Sequence, residues 1–228
     1  MDNARLSSLF CSPASAVIAT PEMYRAQLWS DEKSYVQRSV EERQRQFAAG
    51  RCAARSALSH FGVKPQPLIM NSDGAPVWPS GFVGSISHCA RVCAAVVGPS
   101  KCHIGMGIDV EELDSFAPEI ERWICTATER SHFSQLPKAE WWKIAFSAKE
   151  AFYKSYYPIR KLFLDFCDVV IYFEHNEPVN EGTFKIEIDV DRAEPLADNI
   201  ACFGKWIVTE GLVFTAVTIQ PRRNAPLT

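Results

Sequence analysis

The sequence predicts an α+β protein of two small lobes packed side by side with a cleft between them. Three observations predict it. Helix signals followed by short-strand signals occur in the first half and return in the second, with similar grammar but no sequence repeat. The chain has 228 residues, enough for one large domain or two small ones. Two carboxylates, Asp109 and Glu111, stand near the junction of the halves, where a cleft is the usual place for a ligand.

Residues 1–20 show no period and read as an irregular lead-in or a short edge strand. Ser30-Asp31-Glu32-Lys33 suits the start of a short helix. Ser39 with Glu42 three residues on is a capping-box pattern. From there Phe47, Ala54, Leu58 and Phe61 recur at helical spacing, and Gly62 suits the end. Pro65 and Pro67 break the chain, Leu68-Ile69-Met70 reads as a strand, and Asn71-Ser72-Asp73-Gly74 as a tight turn. Phe82 to His88 and Val92 to Val97 are apolar strands. The clearest helix runs from Lys138 to Tyr157 and is expected to stop at Pro158. Beyond it Phe163 to Phe173 is a long apolar run, and Phe184, Ile186, Ile188 and Val190 alternate with polar residues. Ile207-Val208, a Glu210-Gly211 turn and Leu212 to Ile219 form a closing hairpin.

The composition, 47% hydrophobic and 22% charged, is that of an ordered globular chain. Net charge is -3, which argues against a nucleic-acid binder and makes any anion site local. The eight cysteines contain no C-x-x-C pair and read as reduced small hydrophobes of a cytoplasmic protein. His88, Cys89, Cys93, Cys102 and His103 fit no zinc spacing. No stretch approaches the ~20 apolar residues that span a membrane.

If residues 108–111 are extended, Asp109 and Glu111 lie on one face about 7 Å apart. Like charges that close call for a cation, and Mg²⁺ takes such oxygen ligands; the alternative is a solvated acidic turn. Arg43, Arg45, Arg51 and Arg55 ride one helix, either as a solvated face or as a clamp on phosphate. Ser87 and His88 end a strand, where loops carry function. Glu150 and Lys154 are an i,i+4 pair, which on a surface is worth only ~0.2–0.5 kcal/mol.

Four blocks in register, residues 45–55, 76–88, 107–111 and 146–154, resemble the surfactin-type 4′-phosphopantetheinyl transferases. Phe146-Ser147-Ala148-Lys149-Glu150 with a later Tyr157-Pro158 is similar to the enterobactin synthase component D branch; many relatives carry Trp where Phe146 stands. The resemblance implies a pseudo-dimer of two lobes, residues 1–103 and 104–228, with coenzyme A between them. It implies transfer of the phosphopantetheine arm of coenzyme A to a serine of an acyl or peptidyl carrier protein, in non-ribosomal peptide, polyketide, fatty acid or siderophore synthesis. It implies Mg²⁺ on Asp109, Glu111 and Glu150, with Glu150 as base or as ligand only. Lys154 is then catalytic, and Arg45, Arg51, Ser87, His88, Asp109, Lys149 and Lys154 bind coenzyme A, Arg51 ahead of Arg45 for the 3′-phosphate. A monomer is expected. A non-catalytic coenzyme A or carrier-protein binder and a Mg²⁺-dependent pyrophosphate hydrolase stand as alternatives.

Overall fold

The structure is a computed structural model and describes residues 1–113, 118–134, 140–174, 180–189 and 196–222. Its helices are α1 (Asn3–Ser7), α2 (Ser30–Lys33), α3 (Glu41–Ser59), α4 (Glu121–Ile124), α5 (Ala127–Phe133) and α6 (Trp141–Arg160). Its strands are β1 (Ser15–Ile18), β2 (Phe82–His88), β3 (Cys93–Pro99), β4 (Gly105–Glu112), β5 (Val169–Glu174), β6 (Glu181–Ile188), β7 (Ile200–Thr209) and β8 (Leu212–Pro221). Two antiparallel sheets result, one in the order β1-β3-β2 and one in the order β4-β8-β7-β6-β5. This is the expected two-lobed α+β architecture, with three strands in the first lobe and five in the second.

Each lobe buries one helix on its sheet. The small residues Ala53, Ala54 and Ala57 of α3 pack on Val17, Ala95 and Val97. Ile144, Ala145, Ala148 and Phe152 of α6 pack on Val213, Val217 and Ile219. A third core joins the lobes: Ala94 and Val96 of the first sheet meet Met106, Ile108 and Val110 of β4 and Phe214 of β8. The β7–β8 hairpin turns at Glu210 and Gly211, both left-handed (φ 54° and 75°), the turn type that matches strand twist.

Several expected elements differ. Leu68 to Met70 join no sheet; Met70 makes only an isolated bridge to Pro76. The Leu68 amide donates to Glu32 (2.9 Å) and its carbonyl accepts from Arg51 (2.7 Å), so side chains replace a strand partner. Ser39 does not cap α3; Val40 does, without a side-chain hydrogen bond, and the Ser39 carbonyl accepts from Gln44 instead (2.8 Å). Pro158 lies inside α6, which ends two residues later at a left-handed Lys161. In the last turn a proline forfeits one hydrogen bond and has little helix left to break. Of the run from Phe163, only Val169 onward is strand. Among the cysteines, Cys93 and Cys125 are buried but Cys167 is exposed, and all are free. Lys138 and Val190 lie outside the described residues.

Gly107 carries a testable consequence of this packing. A Cβ there would overlap the Ala151 carbonyl oxygen of α6 and lie 2.8 Å from its carbonyl carbon. Backbone cannot step aside as a side-chain tip can, so Gly107→Ala is expected to cost about 2–3 kcal/mol. Thermal unfolding should then shift down by roughly 4–12 °C; a shift below 2 °C would show that α6 does not rest on β4 this closely.

Candidate active site

The alternation of β4 builds the site. Met106, Ile108 and Val110 enter the shared core, while Gly105, Gly107, Asp109 and Glu111 turn toward α6. The two glycines let the backbones of β4 and α6 touch, since a Cβ at Gly105 would also meet α6, at the Ser155 carbonyl. The next two positions along that face therefore arrive beside Ser147, Glu150 and Lys154. Asp109 is buried, 2% exposed, and accepts from three side chains. Ser87 donates to Oδ1 (2.8 Å), Ser147 to Oδ2 (2.8 Å), and the Lys154 ammonium lies 2.6 Å from Oδ1. Thr215, the register partner of Asp109 on β8, holds Ser147 by donating to its carbonyl (2.8 Å). Lys154 also donates to Ser87 (3.1 Å) and stands 3.9 Å from Glu150. The i,i+4 pair is thus part of a half-buried network joining both lobes.

A cavity of about 420 Å³ opens over this network, lined by Asp109, Glu111 and Glu150 from the second lobe and by Arg43, Arg51 and His88 from the first. Lys154 also lines it. Burial and the neighbouring Asp109 charge push the Glu111 carboxyl up to about 7, against the opposing pull of Lys154 and Lys143. Burial likewise raises Glu150, although Lys154 opposes it. Burial, then the charges of Arg43 and Lys154, lower the His88 pKa, so its imidazole is neutral at pH 7. Arg43 donates to His88 Nε2, which leaves Nδ1 to carry the proton. Arg51 stacks on Phe47, 4.2 Å from the ring centre, and burial draws its guanidinium down to about 10, still a cation.

The donor chemistry fits a hard cation: three carboxylates line one cavity, two with ionisation disfavoured by burial and like charge. As these side chains are oriented, no group of three such ligands converges among the described residues; the Lys154 ammonium sits against Asp109 instead.

Two expected site residues stand elsewhere. Arg45 pairs with Glu41 (2.5 Å) on the far side of α3 and does not line the cavity. Arg43 is at the cavity instead. The signal was the step of four: 43, 47, 51 and 55 share a stripe, and 45 does not. Lys149 is 2% exposed and points away from the carboxylates. Its ammonium donates to Glu129 (2.7 Å) and to the carbonyls of Ile124 and Phe166 (2.8 Å each). Glu129 was absent from the expected site, although Thr126-x-x-Glu129 is a capping box visible in the sequence.

Residues 31–98 match the 4′-phosphopantetheinyl transferase N-terminal domain, and residues 105–201 the 4′-phosphopantetheinyl transferase superfamily. The chain is 35% identical over 220 residues to 4′-phosphopantetheinyl transferase PptT of Mycobacterium tuberculosis, covering 90% of this chain and 97% of that one. This chain belongs to the 4′-phosphopantetheinyl transferase superfamily. The transferase is also 32% identical over 197 residues to 4′-phosphopantetheinyl transferase Svp of Streptomyces mobaraensis, covering 84% and 78%. With enterobactin synthase component D of Salmonella typhimurium it shares 36% identity over 133 residues, 57% of this chain and 55% of that one. In the transferase all four sequence blocks reach one cavity: Phe47 and Arg51 from the first, Ser87 and His88 from the second, Asp109 and Glu111 from the third, Glu150 and Lys154 from the fourth.

Proposed function

We propose that this transferase moves the 4′-phosphopantetheine group of coenzyme A onto a serine hydroxyl of an acyl or peptidyl carrier protein and releases adenosine 3′,5′-bisphosphate. The observation that supports it is the meeting of four separated blocks in one interlobe cavity that three carboxylates and three cationic side chains line together. Arg43, Arg51 and neutral His88 suit the 3′-phosphate, since two fixed guanidinium groups and a ring N–H donate to oxygen without competing acceptors. Lys154 suits the diphosphate and offsets charge on the departing phosphate as the P–O bond breaks. Ser87 would donate to the same oxygens by turning its hydroxyl from Asp109, to which it now donates.

Asp109, Glu111 and Glu150 would hold Mg²⁺, which when bound neutralises diphosphate charge. Glu150 is also the candidate base. In that role, as against ligand only, it would take the carrier serine proton, and the freed serine oxygen bonds to the phosphorus bearing pantetheine as the bond to adenosine bisphosphate breaks. The division at residues 103 and 104, a monomer, and a cytoplasmic setting complete this reading; among the described residues no helix is long and apolar enough to cross a membrane.

Incubation with coenzyme A, Mg²⁺ and apo carrier tests it by intact mass. A gain of one phosphopantetheine on the carrier supports the transferase; nucleotide release without that gain means hydrolysis, and neither means binding alone. Glu150→Gln should lower transfer about 10²-fold, as loss of a general base does, while calorimetry shows coenzyme A binding largely kept. Near-normal turnover would remove Glu150 from the proton transfer.

A further inference from the structure

Residues 68–77 form a finger that lines both interlobe cavities. Met70 faces the cavity described above, Asn71, Asp73 and Ala75 face a second one of about 520 Å³, and Gly74 and Pro76 line both, as does Lys154. The finger is tied within itself. The Asn71 side chain accepts from the amides of Asp73 (3.0 Å) and Ala75 (2.9 Å), and the Val77 amide donates to Ile69 (2.9 Å). Its root is unlike ordinary loop structure. Glu32 is fully buried in the four-residue α2, yet its Oε1 accepts from Arg55 (2.5 Å) and from the Leu68 amide (2.9 Å). Arg51 donates to the Leu68 carbonyl from the other side (2.7 Å). At the tip, Lys161 at the end of α6 pairs with Asp73 (2.9 Å), crossing from the other lobe.

Burying Glu32 and Arg51, with Arg55 mostly covered beside them, is costly for what it fixes locally, the Leu68 backbone and the Trp29 amide that Glu32 also accepts from (3.2 Å), unless the geometry serves something else. A finger tied within itself is placed by what holds it from outside: the root and tip charges, the buried Leu68 side chain, and a Tyr35 hydroxyl that donates to the Met70 carbonyl (3.2 Å). We propose that Glu32 and Arg55 are positioning residues for coenzyme A: with Arg51 they set the finger's root, and Lys161–Asp73 sets its tip, so that the walls of both cavities are preformed before the ligand arrives. Glu32 and Arg55 touch no cavity carboxylate themselves; they act through Leu68. This rests on the functional reading above, because the ligand it names is coenzyme A. Preformed walls lower the ordering cost of binding, so losing an anchor weakens affinity and leaves the chemical step alone.

The test is calorimetric affinity for coenzyme A, together with KM and kcat for transfer. Glu32→Gln keeps an acceptor for Leu68 but loses the ion pair. It should raise both Kd and KM for coenzyme A about tenfold, with kcat and the KM for carrier within twofold of wild type. Should Glu32→Gln fail to fold, the exposed tip decides. Asp73→Asn and Lys161→Met should each weaken coenzyme A binding severalfold, while Lys161→Arg, which retains the ion pair, binds as wild type does. Folded variants that bind coenzyme A within twofold of wild type overturn the proposal, as does a fall confined to kcat. A wild-type protein that binds no coenzyme A overturns the functional reading and this one with it; normal wild-type binding with indifferent variants overturns this one alone.

Discussion

Lys149→Met is expected to lower stability by about 3–5 kcal/mol, read from the urea midpoint. The reason is what it leaves behind. Glu129 is 1% exposed and accepts from the Thr126 amide (2.7 Å), the Ile171 amide (2.8 Å) and Lys149. Without the ammonium, a buried carboxylate keeps its amide donors and loses its only counter-charge among the described hydrogen bonds. The carbonyls of Ile124 and Phe166 lose a donor in the same stroke. A second substitution, Glu129→Gln, should recover much of the loss, because a neutral amide there needs no partner charge. Lys149→Met alone should bind coenzyme A with near-normal affinity while it stays folded. A variant of wild-type stability that binds coenzyme A poorly would return Lys149 to the ligand site and refute this placement.

Lys149 also shows how far the sequence could be read. Its neighbour Glu150 faces the cavity, and adjacent residues on a helix point about 100° apart. Residues 143, 147, 150 and 154 step by three or four along one stripe, and 149 is off it. Spacing along α6 therefore separated the two residues, but a motif that contains both does not. The same holds on α3, where 43, 47 and 51 share the face that 45 leaves. The carboxylate pair was legible because strand alternation is a local rule, and the lobe order was legible because both halves repeat a helix on a small sheet. Leu68 to Met70 were not legible. An extended apolar triplet looks the same whether its amides meet a strand or the side chains of Glu32 and Arg51, and those residues lie 36 and 17 positions away. Nor was the closeness of α6 to β4, since Gly105 and Gly107 show their purpose only against the Ser155 and Ala151 carbonyls.

Asp109→Asn should separate binding from turnover, with opposite signs. Transfer is expected to fall about 10³-fold, the upper range for loss of one preorganised electrostatic group. Asparagine keeps the shape, and one side-chain oxygen to accept from Ser147 or Ser87, so folding is largely spared. It removes the charge that now lies 2.6 Å from Lys154. In EDTA the cavity then carries one negative charge fewer, and Lys154 is free to turn toward phosphate. A coulombic gain of about 1 kcal/mol, screened by the open cavity, corresponds to roughly fivefold tighter metal-free binding of coenzyme A. In wild type Asp109 holds Lys154 beside Ser87, and on the proposed reading the ammonium would meet phosphate only once that carboxylate had another cation. Calorimetry in EDTA and transfer in Mg²⁺ measure the two effects on one variant. Weaker metal-free binding by Asp109→Asn would mean that Lys154 needs its carboxylate in order to meet the ligand, and that Asp109 positions the lysine and does not restrain it.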